Sequence, residues 1–384
     1  MYKEEKILSY PLENIRVLDL TRLLPGPFCT MILADFGAEV IKIEDPKKGD
    51  YLRYFEPLSE GMSAYFHTLN RNKKSVTLDL KIKEDYLQFL SLVQSADVLV
   101  ESFRPDVMKR LNLDYETLKT VNPRLIYCSI TGYGQTGPYK NNAGHDLNFL
   151  SQSGALSMMG KKGEKPDIHA IQIADLAGGA YPAIVGILLA LLNREKTKKG
   201  EFIDISMLDG VLSLLPLNLP KFLVGEKVEQ EEELLNGGYA CYQIYETKDG
   251  RYLSVCAMEP KFWEKFCKII SRPELIPLLY APIERQKTLI QEIQSILYKK
   301  TIEEWKKIFQ EEDCCVTPLV NLEELIKDPH IQCREIFQSI NGITTIANPI
   351  KLQHSKPLIK SKAPKLGEHN EKILKRNEKN GRTT

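Results

Sequence analysis

The chain has 384 residues, 43% hydrophobic and 27% charged, and its 52 basic residues set against 51 acidic ones leave a net charge of +1. That length exceeds one typical core, so two domains are expected. The balanced charge excludes broad nucleic-acid binding, which needs a surplus of Lys and Arg on one face, but leaves room for a local basic patch that grips a small anion.

In chain order, Ile15 to Leu20 is short, apolar and alternating, as a strand requires. After Thr21-Arg22-Leu23-Leu24, Pro25-Gly26-Pro27 opens a helix over Phe28 to Phe36 that Gly37 stops. Glu39 to Glu44 is the next strand. This β-α-β unit predicts a parallel, doubly wound α/β sheet. Its first loop lacks GxGxxG, which argues against a nicotinamide dinucleotide site. Asp45 to Gly61 reads as loop, Ser75 to Leu80 as strand, Tyr86 to Ser95 as amphipathic helix and Asp97 to Glu101 as strand. Arg71, Lys73, Lys74 and Arg104 all lie beside strand ends, where parallel sheets bind ligands, so some of them are expected to hold a phosphate.

Leu125 to Thr131 is the next strand, and the Gly/Pro-rich loop Gly132 to Asn142 delivers His145 and Asp146 to the start of a short helix ending at Gln152. A helix start leaves backbone N–H groups unpaired, and histidine carries a proton near neutral pH. The pair suits carbanion or enolate chemistry. Asp175 precedes Gly178-Gly179 and an apolar helix reaching Leu192, a second carboxylate at a helix start. Phe202 to Ile205 is one more strand. From about Lys221 the pattern changes. A hairpin of Tyr239–Glu246 and Arg251–Met258 turns at Lys248-Asp249-Gly250. Glu259-Pro260 then opens a helix over Lys261–Ile270, and further helices follow at Lys287–Lys299 and Ile302–Gln310. We therefore expect a large domain over 1–220 and 326–384 and a small domain over 221–325.

The eight cysteines form no CxxC pair and no His-linked metal spacing. The N-terminus has no apolar h-region, the C-terminus no peroxisomal signal, and the longest apolar run, Ala183 to Leu192, is about half a membrane span. A cytoplasmic, reduced protein with no metal, cofactor or membrane partner is expected.

Several blocks in order carry a resemblance. They are VLDLTRLLPGPFCTMILADFGAEVIKIE from Val17, NRNKKSVTLDLK from Asn70, ESFRPDVMKRLNL from Glu101, ITGYGQTGPYKNNAGHDLNFLSQSG from Ile130, ADLAGGAYPAIVGILLAL from Ala174 and KKGEFIDISMLDG from Lys198. Together they resemble the class III CoA-transferase superfamily (CaiB/BaiF type), and within it the α-methylacyl-CoA racemases. Gly144-His145-Asp146 matches the racemase GHD motif, with Leu147-Asn148-Phe149 where an I-N-Y segment is usual. Asp175 matches an aspartate common to both subclasses, and Glu259 a racemase glutamate. The resemblance implies a Rossmann-like large domain, a smaller α+β domain and an interlocked homodimer whose small domain completes the partner's active site.

It also implies an acyl-CoA substrate. His145 and Asp175 would serve opposite faces of the α-carbon, Glu259 would orient His145, and the Asp146 N–H would hold the enolate oxygen. Arg71, Arg104, Leu23, Gly26 and Lys47 would hold CoA. Lys47 enters because Asp45 stands where many relatives place a basic residue before the proline matching Pro46. The competing readings are a CoA-transferase that forms an anhydride at Asp175 and a non-catalytic acyl-CoA binding protein.

Overall fold

A computed structural model describes residues 10–374. The stretches weighed for targeting signals, 1–9 and 375–384, lie outside them. The described residues form two compact units, the first drawn from 10–153, 170–214 and 329–374, the second from 154–169 and 215–328. The segment Gly154–His169 thus groups with the second unit, not with the large domain in which its sequence position had put it. The cause is local pairing: Lys162 bridges Glu229 and Glu232, and Gln230 Nε2 donates to the Met159 carbonyl at 2.7 Å.

The first unit is an α/β fold around one six-stranded sheet. Its strands are β1 (Arg16–Asp19), β2 (Glu39–Glu44), β3 (Lys74–Thr77), β4 (Val98–Glu101), β5 (Ile126–Thr131) and β6 (Glu201–Ser206). They lie in the order 3-2-1-4-5-6, every neighbouring pair parallel. This is the doubly wound order, and it reverses direction between β1 and β4. Strands covered on both faces read as continuous apolar runs, and Val98, Leu99 and Val100 are fully buried. Short helices went unread in the sequence, among them Ala64–Asn70, Val107–Arg110 and Tyr115–Val121.

The C-terminal ends of β1 and β2 bury charge. Asp19 accepts from Lys73 Nζ at 3.0 Å, while Lys42 Nζ lies 3.0 Å from Asp50 and donates to the Thr21 carbonyl at 2.7 Å. Arg53 forks onto Glu44 at 2.6 and 2.8 Å. Burial alone would raise the Asp19 pKa, but Lys73 and Lys42 outweigh it and hold the carboxyl well below its usual range. This network pins the Thr21–Pro27 loop from beneath. Thr21 N and Oγ1 both donate to Asp19, and Lys73 donates to the Pro27 carbonyl at 3.0 Å.

The helix that follows Asp175 is longer than the apolar run suggested. It covers Ala174–Thr197, beginning with a π-helical stretch over Ala174–Ala180. By length and composition it could cross a membrane. Instead it packs along the helix Pro25–Asp35 and along β5 and β6. Its opposite side leaves Val185, Leu189 and Leu192 exposed at 55%, 61% and 67%.

The second unit is α+β. A three-stranded antiparallel sheet runs in the spatial order Val316–Pro318, Tyr252–Cys256, Tyr242–Glu246. Helices Pro260–Ile269, Ile283–Leu297 and Ile302–Phe309 bury Trp263, Phe266, Trp305 and Phe309 in its core. Both indole N–H groups find carbonyls, Trp263 on Leu275 and Trp305 on Leu297.

Candidate active site

The topological reversal between β1 and β4 leaves a crevice beyond their C-terminal ends, the usual ligand position in such sheets. A cavity of about 420 Å³ lies there. The loop after β1 supplies Arg22, Leu23 and Pro25. The turn after β4 supplies Ser102 to Pro105, and the loop after β5 supplies Lys140, Gly144 and His145. Asp175 completes the wall.

His145 is exposed and occupies the N-cap of the helix Asp146–Gln152. Its backbone N–H donates to Asn148 Oδ1 at 3.0 Å, which fixes the turn. The loop that delivers it is pinched at both ends on one ring. A Cβ at Gly132 would fall 2.3 Å from Phe149 Cε1, and one at Gly144 would fall 2.7 Å from it. Only glycine allows both approaches, and Tyr133 stacks edge-on against the same ring at 5.2 Å. Phe149, where the racemase motif has tyrosine, is therefore the anchor of the loop.

Asp175 sits half-buried in the first turn of its π-helical stretch, and its N–H donates to Asp146 Oδ1 at 2.9 Å. Sequence reasoning assigned Asp146 a backbone role. The structure adds a side-chain one, locking the start of one helix to the start of another. Burial, and then the charge of Asp146, push the Asp175 pKa up to about 7. A carboxyl at that value exchanges protons at neutral pH in both directions. The site therefore places a histidine, and a carboxyl able to take or give a proton, on the wall of one cavity.

A family model described as CoA-transferase family III matches residues 12–370. The chain belongs to CoA-transferase family III. It is 35% identical over 368 residues to the α-methylacyl-CoA racemase of Homo sapiens, covering 94% of this chain and 92% of that protein. It is 33% identical over 381 residues to the succinyl-CoA:glutarate CoA-transferase of Mus musculus, at 95% and 86% coverage. Among solved structures, a CaiB/BaiF family protein from Brucella suis superposes with a TM-score of 0.85 at 28% identity, covering 96% of this chain and all of that one. Racemases and transferases are thus about equally similar to this family III chain.

The residues expected to hold CoA divide. Leu23 and Arg104 line the cavity. Leu23 has φ of 63°, and its N–H reaches Asp50 Oδ1 at 3.2 Å, so the buried network holds it in that left-handed conformation. Arg71 is elsewhere. It is 1% exposed, and its guanidinium forks onto Asp35 at 2.7 and 3.0 Å and donates to Thr345 Oγ1 at 3.1 Å. It braces the start of the chain's return segment against the large-domain core. Gly26 is buried away from the wall, because a Cβ there would lie 2.2 Å from Thr21 Cβ, so the close approach it permits is to Thr21. Lys47 is exposed in a turn whose N–H groups Asp45 accepts, and it does not line the cavity. Glu259 belongs to the second unit, exposed at the N-cap of the helix Pro260–Ile269, where its side chain makes no capping hydrogen bond.

Two cavity cations escaped the sequence reading. Arg22 is held between aromatic rings, 5.2 Å from the Tyr51 centroid and 5.6 Å from that of Phe103, and donates to Tyr51 Oη at 2.9 Å. Lys140 lies 3.5 Å from Asp106. The position of Arg22 three residues past the end of β1 was the available signal.

Proposed function

We propose that this family III protein interconverts the two configurations at carbon 2 of a 2-methylacyl-CoA thioester. The observation that carries the reading is the pairing of His145 and Asp175 on one cavity at the sheet's reversal point. One group removes the α-proton, the C–H electron pair moves into an enolate, and the other group returns a proton to the opposite face. The α-proton is far less acidic than either side chain, so the enolate needs electrostatic support. The Asp146 N–H, in the first turn of its helix, is the donor we assign to the enolate oxygen. Losing such a donor typically costs ~3 kcal/mol of barrier stabilisation. Arg22, Arg104 and Lys140 give the cavity its positive rim for the CoA phosphates, and binding there is remote from the reacting carbon.

Glu259 is assigned to orient His145 from the partner subunit of a homodimer. The uncovered stripe of Val185, Leu189 and Leu192 supports a second copy as the missing neighbour. The reaction needs no redox cofactor or metal, and a cytoplasmic setting accords with eight unpaired thiols.

The near-equal similarity of the transferases favours one rival: Asp175 attacks the thioester, expels the CoA thiolate and forms an acyl anhydride. The discriminating experiment is NMR in heavy water on single enantiomers of a 2-methylacyl-CoA with no acceptor acid present. Deuterium at carbon 2 with loss of configuration is expected. CoA moving to an added carboxylate, with carbon 2 left unlabelled, would replace the racemase reading by the transferase one.

A further inference from the structure

Glu101 ends β4, one residue before the turn that carries Phe103 and Arg104 to the cavity. Its neighbours on the strand are apolar and fully buried, yet Glu101 itself is only 4% exposed. A carboxylate in such a place needs compensating hydrogen bonds, and two are present. Its Oε2 accepts the Phe103 N–H at 2.7 Å, and the carboxylate also accepts the Ser129 hydroxyl from β5.

The bonds continue outward. Ser129 Oγ accepts from Gln135 Nε2 at 2.8 Å, and the Gln135 backbone N–H donates to the Asp204 carboxylate on β6 at 3.1 and 3.2 Å. One chain of bonds therefore crosses three strand ends. Gln135 sits in the neck of the loop that ends in His145, just past Gly132, where that loop is pinched on Phe149. A second cavity of about 290 Å³ opens beside Glu101 and shares Arg104 and Pro105 with the first.

We propose that Glu101 is a positioning residue: through the Phe103 N–H on one side and Ser129–Gln135 on the other, it sets the spacing between the Arg104 turn and the loop that carries His145. Lys140 and Asp106, 3.5 Å apart, tie the same two loops at the surface, whereas the Glu101 chain is a buried tie, and an apolar residue at 101 would leave both Phe103 N–H and Ser129 without this partner. Burial first, then the Asp204 charge, push the Glu101 pKa up to about 7, against the pull of its two hydrogen bonds. The carboxylate is thus retained where packing alone would favour an apolar side chain. Its catalytic arm rests on the proposed reaction, whereas its CoA-binding arm rests only on Arg104 facing CoA, whichever reaction follows.

The test is a double-mutant cycle on the full-length protein with two readouts, turnover and the Kd for free CoA. Gln135→Ala releases only the His145 loop, so turnover should fall about tenfold, the scale of one lost hydrogen bond, with Kd within twofold. Glu101→Leu, which keeps the bulk and can accept neither bond, releases both loops, so turnover should fall at least tenfold and Kd should rise about fivefold. The double variant should be no worse than Glu101→Leu alone, because both residues act through one chain. If Glu101→Leu does not fold, Ser129→Ala takes its place with the turnover prediction of Gln135→Ala. Turnover is read as α-proton exchange. Should the wild-type protein show transfer and no exchange, the same cycle is read on transfer, so loss of the racemase reading is distinguished from loss of this one. Wild-type turnover in Gln135→Ala, or losses that multiply in the double variant, would overturn the proposal.

Discussion

Asp175 carries two consequences that separate chemistry from stability. If each face of the α-carbon has its own residue, Asp175→Asn should still exchange the α-proton of one enantiomer through His145 while losing inversion by ~100-fold or more. His145→Gln should keep the opposite hand. Single-enantiomer exchange, followed separately from inversion, checks both, and loss of both hands in both variants would leave the opposed assignment without support. The second consequence is thermodynamic. The folded-state pKa of Asp175 is raised from 3.8 to about 7, so the folded protein holds this proton over a range where the unfolded chain has released it. That contribution to stability is full below pH ~4 and is lost as pH rises through 7. Asp175→Asn removes the dependence. Relative to wild type it should gain stability between pH 4 and pH 8, with a ceiling of about 4 kcal/mol at ~1.4 per unit. Denaturant midpoints across that range measure it, and parallel curves for the two proteins would contradict the raised pKa.

Among the elements, the loop after β1 owes its shape to charges beneath it. Lys73 answers Asp19 in a fully buried pair. Lys73→Met keeps the bulk and leaves Asp19 with less compensation, which should cost about 3–5 kcal/mol. Equilibrium unfolding reads this directly, and a change below ~1 kcal/mol would mean that Lys42 alone neutralises Asp19. The same charges show where the sequence stopped being legible. Strand periodicity located all six sheet strands, and the strand-end rule found Arg104. The rule failed for Arg71, because the residue that claims it, Asp35, lies 36 positions away on a helix that reads as apolar. Lys73 was suspected of holding phosphate for the same reason, and Asp19 turns it inward. Short helices such as Tyr115–Val121 offer too few turns to show a period.

For the molecule as a whole, the motifs identified the family because several blocks recur in the right order, while the choice between racemase and transferase turns on a handful of side chains. Gly154–His169 was assigned to the wrong unit because ion pairs across about 70 positions of chain leave no local trace. The exposed stripe of the helix Ala174–Thr197 makes an assembly prediction. Leu189, 61% exposed, should be covered by a second copy, so sedimentation should give a dimer at micromolar concentration. Leu189→Asp should raise the dimer dissociation constant at least tenfold and lower exchange in step, since Glu259 is assigned to the partner's site. An active monomer would contradict both.

The π-helical stretch at Ala174–Ala180 has an arithmetic of its own. Such a stretch amounts to an α-helix with a residue inserted, and the insertion shifts everything before it in angular phase relative to everything after. One residue advances an α-helix by about 100°. Deleting Ala177 would let the turn close into ordinary α-helix without disturbing Tyr181–Thr197, and Asp175 would swing by about that angle off the cavity wall. A protein that melts normally, loses α-proton chemistry and regains none of it with Asp moved back by one position is not expected. Shifting the aspartate to position 174 in the deletion variant, three residues before Gly178 as Asp175 is now, should restore part of the exchange. In this helix the register of a single residue decides whether a carboxyl lies on the cavity wall, so an indel there can remove or install that carboxyl while the fold stays as it was.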